Sequence, residues 1–158
     1  MKVASLVHNN FIRDSRVQRQ AISLANAGYD LTVFALWKKG ISQEEFIDGY
    51  KIRRYRIYCL LNGNFGKFLK FLEFSLRISW QIRRVDIIHC HDYHPLLAML
   101  ISKYFFRSKF LVIYDAHEYE SQKLGFGRFS KFAISLLEKI SSKFIDGFIT
   151  VSESILEM

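Results

Sequence analysis

The chain contains little cysteine and almost no proline, and these two shortages exclude several classes of protein. Two cysteines in 158 residues, Cys59 and Cys90, are too few for a disulfide framework, and their spacing fits no zinc or redox motif. One proline and a hydrophobic content of 50% exclude a disordered or collagen-like chain. The apolar sequence that is present suffices for one core, so we expect residues 1–158 to form a single domain.

Long uncharged apolar runs and an N-terminal leader are also lacking. No segment offers the ~18 apolar residues that a membrane-spanning helix needs. The short run at residues 2–8 predicts a strand rather than a signal peptide, so we expect a cytoplasmic protein. In contrast, 23 Lys and Arg residues against 15 Asp and Glu give a net charge of +8. This charge favours anionic partners, which include nucleic acid, anionic lipid and phosphorylated substrates.

Short apolar runs alternate with longer segments of helical period, which is typical of a parallel sheet with crossover helices. The predicted strands cover residues 2–8, 30–36, 51–57, 85–91, 109–115 and 147–151. The predicted helices cover residues 13–27, 65–84, 95–106 and 128–144, and Gly28 should end the first of them. We interpret residues 37–49 as a polar loop. The pattern predicts a Rossmann-like, doubly wound α/β fold with helices on both faces of a mainly parallel sheet.

The last seven residues resemble the first turns of a further helix, with Ser152 as its N-cap. A doubly wound domain normally covers its last strand with the helix that follows. We therefore expect the chain to be part of a longer protein; the alternative is a separate partner that supplies the cover.

Polar clusters follow three of the predicted strands at their carboxyl ends, where ligands bind in an open α/β sheet. They lie at residues 8–16, 89–94 and 115–120. Since parallel strands present their carboxyl ends at one edge, we expect the three clusters to converge there.

The first cluster lacks the glycine fingerprints of dinucleotide-binding and P-loop proteins. It could still bind an anion, because the following helix offers free N–H groups and Arg13 and Arg16 add charged donors. Arg13 is the stronger candidate. The alternative is that Asp14 or Ser15 only caps the helix and the arginines are solvated.

The second cluster contains His89 and His91 on one strand face, followed by Asp92 and His94. This resembles the H-x-H start of a metal hydrolase, but a complete ligand set is not evident, and we expect no metal. Contact of His91 or Asp92 with a small ligand is the favoured interpretation, and a histidine that is simply buried is the alternative.

The third cluster places His117 just beyond a strand, between Asp115 and Glu118. A histidine beside carboxylates can move a proton or orient a substrate. The alternative is that it only ties loops together. Acyl hydrolysis has no support, since no G-x-S-x-G turn is present.

Residues 65–84 form a basic segment with many aromatic side chains. At helical spacing one stripe contains Phe68, Leu69, Leu72, Leu76, Ser79, Trp80 and Arg83, and further aromatics are Phe65, Phe71 and Phe74. Such a surplus predicts a helix on an anionic membrane surface or a groove for an apolar substrate. A buried crossover helix is the alternative.

Five segments together resemble family-four glycosyltransferases, in the order of that family. They are residues 11–17, 25–33, 85–92, 114–118 and 146–153 (FIRDSRV, ANAGYDLTV, VDIIHCHD, YDAHE and DGFITVSE). The resemblance implies a GT-B architecture of two Rossmann-like domains, of which this chain is the N-terminal, acceptor-side one. The nucleotide-sugar domain would then lie outside the chain.

The resemblance also implies a reaction and a set of residues. The reaction is retaining transfer of a sugar from a nucleotide-sugar to a polysaccharide or lipid-linked acceptor, with no metal or other cofactor and with the leaving phosphate helping to deprotonate the acceptor. His117 would be the catalytic residue that orients the sugar or the acceptor. The acceptor side would be lined by Arg13, His91, Asp92 and Glu118. The loop near the donor phosphates would contain Asn9 and Asn10, where the family usually has glycines.

The chain alone is expected to have little activity, because catalysis needs both faces of the cleft. Two other functions remain open at this point. One is a non-catalytic subunit that docks a separate enzyme. The other is a nucleic-acid-binding domain, although no helix-turn-helix, zinc or RNP signature is present.

Overall fold

A computed structural model describes residues 1–116 and 128–150. The strands are β1 (Lys2–Leu6), β2 (Asp30–Leu36), β3 (Glu44–Ile47), β4 (Tyr50–Tyr55), β5 (Ile87–His91), β6 (Leu111–Ala116) and β7 (Gly147–Thr150). The helices are α1 (Ser15–Asn26), α2 (Gly63–Gln81), α3 (His94–Phe106) and α4 (Arg128–Ser141). The predicted helix start at Ser152 lies outside the described residues.

Seven strands form one sheet in the order β3-β4-β2-β1-β5-β6-β7. Every neighbouring pair is parallel except β3 with β4. The strand order reverses between β1 and β5, and this is the point where an open α/β sheet leaves a crevice for ligands. The predicted mainly parallel, Rossmann-like sheet is confirmed.

The prediction of a polar loop over residues 37–49 is wrong, because β3 lies within it. This strand pairs antiparallel with β4 through the turn at Asp48 and Gly49, and both turn residues have positive φ, +49° and +83°. The sequence of β3 does not alternate between apolar and polar residues, since β3 is a short edge strand that faces solvent on both sides. A half-buried strand of the usual pattern would have been detectable.

Two apolar cores lie on opposite faces of the sheet. On one face, α1 packs Val17 and Ala21 against Val3, Val7 and neighbouring β2 side chains. On the other face, α2 and α3 pack against alternate residues of β1, β5 and β6, and Leu137 of α4 joins them. Helices therefore cover both faces, as a doubly wound fold requires.

The ends of α1 follow from its sequence. The Asp14 carboxylate accepts a hydrogen bond from the Val17 amide at 3.2 Å, so Asp14 is the N-cap. At the other end Gly28 has φ +84°, a conformation that costs little only for glycine. The helix thus starts directly after the loop that follows β1.

Candidate active site

The carboxyl ends of β1, β5 and β6 lie side by side. Leu6 is in register with Cys90, and His91 is in register with Asp115. The residues that follow β1 and β5 therefore share one edge of the sheet, as predicted. His117 and Glu118, which follow β6 in sequence, lie outside the described residues.

The loop after β1 is held in shape by its own side chains. Asn9 Oδ1 accepts from the Phe11 amide at 2.8 Å, and Asn9 Nδ2 donates to Asp14 Oδ2 at 2.8 Å. Phe11 has φ +52° and is buried, so its ring anchors the turn. Asn9 thus connects the turn to the N-cap of α1.

An open depression of about 310 Å³ lies above this loop. It is lined by Asn9, Asn10, Arg13, Asp14, Ser15 and Arg16. Arg13 is exposed there, and the first turn of α1 directs backbone N–H groups toward the same region. A guanidinium beside a helix N-terminus is suited to a phosphate or a carboxylate.

A buried arginine of β4 forms hydrogen bonds with the backbone of the same loop. The Arg54 side chain donates to the backbone oxygen of Asn10 at 2.9 Å and to that of Phe11 at 3.4 Å. It also donates to Glu45 Oε1 of β3 at 2.8 Å. The hairpin of β4 with β3, the strand that sequence patterns missed, therefore helps to hold the loop in place.

Asp115 is the centre of a buried polar network. Arg16 Nη1 lies 3.0 Å from Asp115 Oδ1, and Gln20 Nε2 donates to Asp115 Oδ2 at 3.0 Å. His89 Nε2 and His91 Nδ1 lie 3.6 and 3.5 Å from the same Oδ2. The network therefore connects α1, through Arg16 and Gln20, with the ends of β5 and β6 next to the candidate site.

Two pKa values in this network are shifted. Burial by itself raises the pKa of Asp115, but contacts from His89, His91 and Gln20 and the charge of Arg16 bring it well below its ordinary value. Burial lowers the pKa of His91 to about 4, against a smaller upward effect of Asp115. At neutral pH the cluster therefore contains a carboxylate, a guanidinium and a neutral His91.

His89, His91 and Asp115 could in principle reach one metal ion. Their ligand atoms all lie within 4.8 Å of one another, and the two histidine nitrogens facing Asp115 have no hydrogen-bond partner among the described residues. Arg16, however, already balances the carboxylate, so a divalent ion would add unbalanced positive charge in a buried place. We therefore assign this cluster a structural role.

His91 itself is 3% exposed, and its Nε2 lies 2.9 Å from Ser5 Oγ. It is thus buried beneath the edge, and its contact with an acceptor stays a prediction. Asp92, the next residue, is half-buried, with φ +63° and an amide that donates to the Asp115 carbonyl at 3.0 Å. A left-handed aspartate at the end of a central strand is the kind of strained position found at functional sites.

A cluster of aromatic rings borders the site on the α2 side. His8 stacks on His94 at a centroid distance of 4.2 Å, and His94 stacks on Tyr93 at 3.9 Å. Phe74 meets His8 edge-on at 5.1 Å. Burial lowers the pKa of His8 to about 4, so it is neutral at pH 7. His94 is held in this cluster by the two stacking contacts.

Sequence reasoning did not predict the contact of Arg16 with Asp115 and assigned no role to Gln20 or His8. The contact of Arg16 with Asp115 joins residues 99 positions apart, which no local pattern reveals. A sequence signal did exist for Asp115, since it is a charged residue at the end of a largely apolar predicted strand.

Comparison with known proteins shows to which family the chain belongs. The family model described as Glycosyltransferase Family 4 matches residues 15–158. None of the curated proteins gives a significant sequence match.

Solved structures share the fold at low sequence identity. Sucrose-phosphate synthase from Thermosynechococcus elongatus superposes with a TM-score of 0.76 at 12% identity, covering 99% of this chain and 44% of that one. The catalytic domain of starch synthase IV from Arabidopsis thaliana, bound to ADP and acarbose, gives 0.57 at 11% identity over 75% of this chain and 34% of that one. The likeness agrees with a Rossmann-like half of a GT-B architecture. Since the family model covers most of the chain, the protein is a member of glycosyltransferase family 4.

Proposed function

We propose that the protein transfers a sugar from a nucleotide-sugar to a glycan or lipid-linked acceptor, and that the described domain binds the acceptor. The observation that carries this proposal is the shared edge of β1 and β5. There the depression around Arg13 lies at the start of α1, and Asp92 occupies a left-handed position at the end of β5.

The loop after β1 is suited to the donor phosphates, and the end of β5 is suited to the acceptor. The α1 N-terminus provides positive potential for donor phosphates, and Asn9 and Asn10 shape the turn that approaches them. Arg13, which lines the same depression, would contact the acceptor. The Asp92 carboxylate can accept hydrogen bonds from acceptor hydroxyls. His117 and Glu118 would complete this side, with His117 orienting the sugar or the acceptor. The reaction needs no bound metal or other cofactor in this proposal.

The chain spans 44% of the sucrose-phosphate synthase chain. We infer that a second domain binds the nucleotide-sugar and that the described domain alone turns over little substrate, because the reactants must be positioned from both sides of a cleft.

The test is sugar transfer by the whole protein, followed as release of nucleoside diphosphate in the presence and absence of acceptor glycans. Asp92→Asn is the informative variant, since asparagine tolerates positive φ and only the charge is removed. Asp48→Asn is the matched control, because Asp48 also has positive φ but lies in the exposed β3–β4 turn. Loss of transfer in the first variant alone supports the proposal. Equal activity of the two removes Asp92 from the site, and no turnover of any nucleotide-sugar contradicts the proposed reaction.

A further inference from the structure

The outer side of α2 carries an apolar stripe that nothing in the described residues covers. The exposed members are Phe65, Phe68, Leu76 and Trp80, with exposed fractions of 67, 54, 51 and 51%, and half-buried Leu72 lies between them. Their spacing of three and four residues places them along one line of the helix, about 22 Å long. The stripe therefore runs almost the full length of α2.

The core contacts of α2 come from its opposite side. Phe74 and Ile78 of α2 are fully buried, as is Ile82 directly after the helix, and Phe71 packs on His8. Of the stripe predicted from the sequence, Phe68, Leu76 and Trp80 face outward, whereas Ser79 is buried. Phe71 and Phe74, which the sequence analysis placed outside that stripe, face inward. A crossover helix needs only the inward face for folding, so the outward one is available for another surface.

The charge around this stripe is almost wholly positive. Residues 63–84 contain five Lys and Arg residues and a single acid, Glu73. The Glu73 carboxylate accepts from the amides of Tyr58 and Cys59 and from Arg77 Nε, so its charge is engaged within the fold. Arg83 lies over the Trp80 ring at 3.6 Å, which places a cation at the edge of the apolar stripe.

More exposed apolar side chains adjoin the stripe at both ends. Leu60 and Leu61 precede α2 and are 90 and 53% exposed. At the other end the Trp80 ring meets Phe106 of α3 at 5.3 Å, and the adjacent Phe105 is 79% exposed. Aromatic and leucine side chains bordered by lysines and arginines are the composition of a helix that lies in a membrane interface.

We propose that the outer face of α2 docks the protein on an anionic lipid bilayer, with α2 parallel to the membrane plane. No helix of the described residues is both long and apolar enough to cross a bilayer. The basic residues of α2 fit the negative potential of a cytoplasmic leaflet. Since α2 starts on the side of the sheet where β4 ends, its first turns and the candidate site face the same end of the molecule.

The test uses vesicle co-sedimentation with the whole protein and does not depend on the proposed reaction. The vesicles are either phosphatidylcholine alone or an equal mixture of phosphatidylcholine and phosphatidylglycerol. We expect binding to the mixed vesicles, weaker binding to the neutral ones, and release at high salt.

The double variant Phe65→Ser/Phe68→Ser should lower the partition coefficient for mixed vesicles at least about tenfold. Phe46→Ser is the control, because Phe46 is 72% exposed on β3, away from α2. Lys67→Glu should also weaken binding, whereas Lys39→Glu, on an exposed loop, should not. Thermal unfolding of each variant shows whether the fold is kept.

Three outcomes overturn the proposal. The first is no binding to mixed vesicles at low salt, and the second is binding that the double variant leaves unchanged. The third is a concentration-dependent dimer that the double variant abolishes while vesicle binding is absent, since the stripe would then be an interface between two copies.

Discussion

Replacing Asp115 with asparagine should lower the free energy of unfolding by about 3 kcal/mol. Breaking a buried ion pair costs about 3–5 kcal/mol, because the remaining charge is left uncompensated. The Asp115 side chain is 1% exposed, whereas Arg16 is 28% exposed and can regain contact with water. The expected loss of stability therefore lies at the lower end of this range of about 3–5 kcal/mol.

For a chain of this size about 3 kcal/mol corresponds to a Tm lowered by roughly 6–12 °C. The measurement is urea unfolding followed by circular dichroism, with a thermal scan beside it. Asp30→Asn is the control, because Asp30 pairs with Lys51 at 3.3 Å while both side chains are about half exposed, and it should cost less than ~1 kcal/mol.

The pH dependence gives a second readout for the same variant. The pKa of Asp115 is lower in the folded state than in the unfolded one, so the carboxylate stabilises the fold above the unfolded value of about 4. This contribution is lost as the pH falls through the folded-state pKa. The stability difference between the parent and Asp115→Asn should therefore be constant near neutral pH and shrink in acid. Equal costs for Asp115→Asn and Asp30→Asn would refute the reasoning about the buried network.

Two further predictions concern the surroundings of the site. His8 should titrate near pH 4 in NMR spectra, so its neutral form stabilises the fold above the unfolded pKa of about 6.5 and this contribution is lost as the pH falls toward 4; a midpoint near 6.5 would contradict its burial. Arg54→Ala should cost about 3 kcal/mol in urea unfolding, because backbone oxygens of the β1 loop lose their donor. Arg53→Ala should cost under ~1 kcal/mol, since Arg53 forms only an exposed ion pair with Glu44, and equal costs would count against the proposed support of the loop.

Most of the parallel strands were predictable because they are short apolar runs bounded by polar turns, whereas β4 was predictable from its alternation of buried and basic residues. β2, for example, spans the predicted residues, and β5 and β6 differ from the prediction by two residues at most. The hairpin strand β3 was not predictable in this way, since an edge strand exposed on both sides leaves no alternation in the sequence.

The orientation of α2 is a second feature that the sequence could not predict. Helical period identifies residues that share a face, but it does not tell which apolar face meets the sheet when two exist. The outward stripe through Leu76 and Trp80 and the inward one through Phe74 and Ile78 both have the required spacing.

The candidate site was located by a general rule, since ligands bind at the carboxyl ends of strands near the switch point. That rule selected Arg13, His91 and Asp92 from the sequence, and the family resemblance added Asn9. The rule could not select Arg16 as the partner of Asp115, because long-range pairing depends on which helix face lies over which strand.

The comparison of Asp92→Asn with Asp48→Asn in sugar transfer tests the central claim most directly. A lost hydrogen bond to a charged group is worth about 1.5–3 kcal/mol, so kcat/KM for the acceptor should fall about 10- to 100-fold in Asp92→Asn. Asp48→Asn should keep the parent value, since its carboxylate lies in an exposed turn away from β5. Equal kcat/KM values for the two variants, with both folded, would contradict an acceptor site at the carboxyl edge of β5.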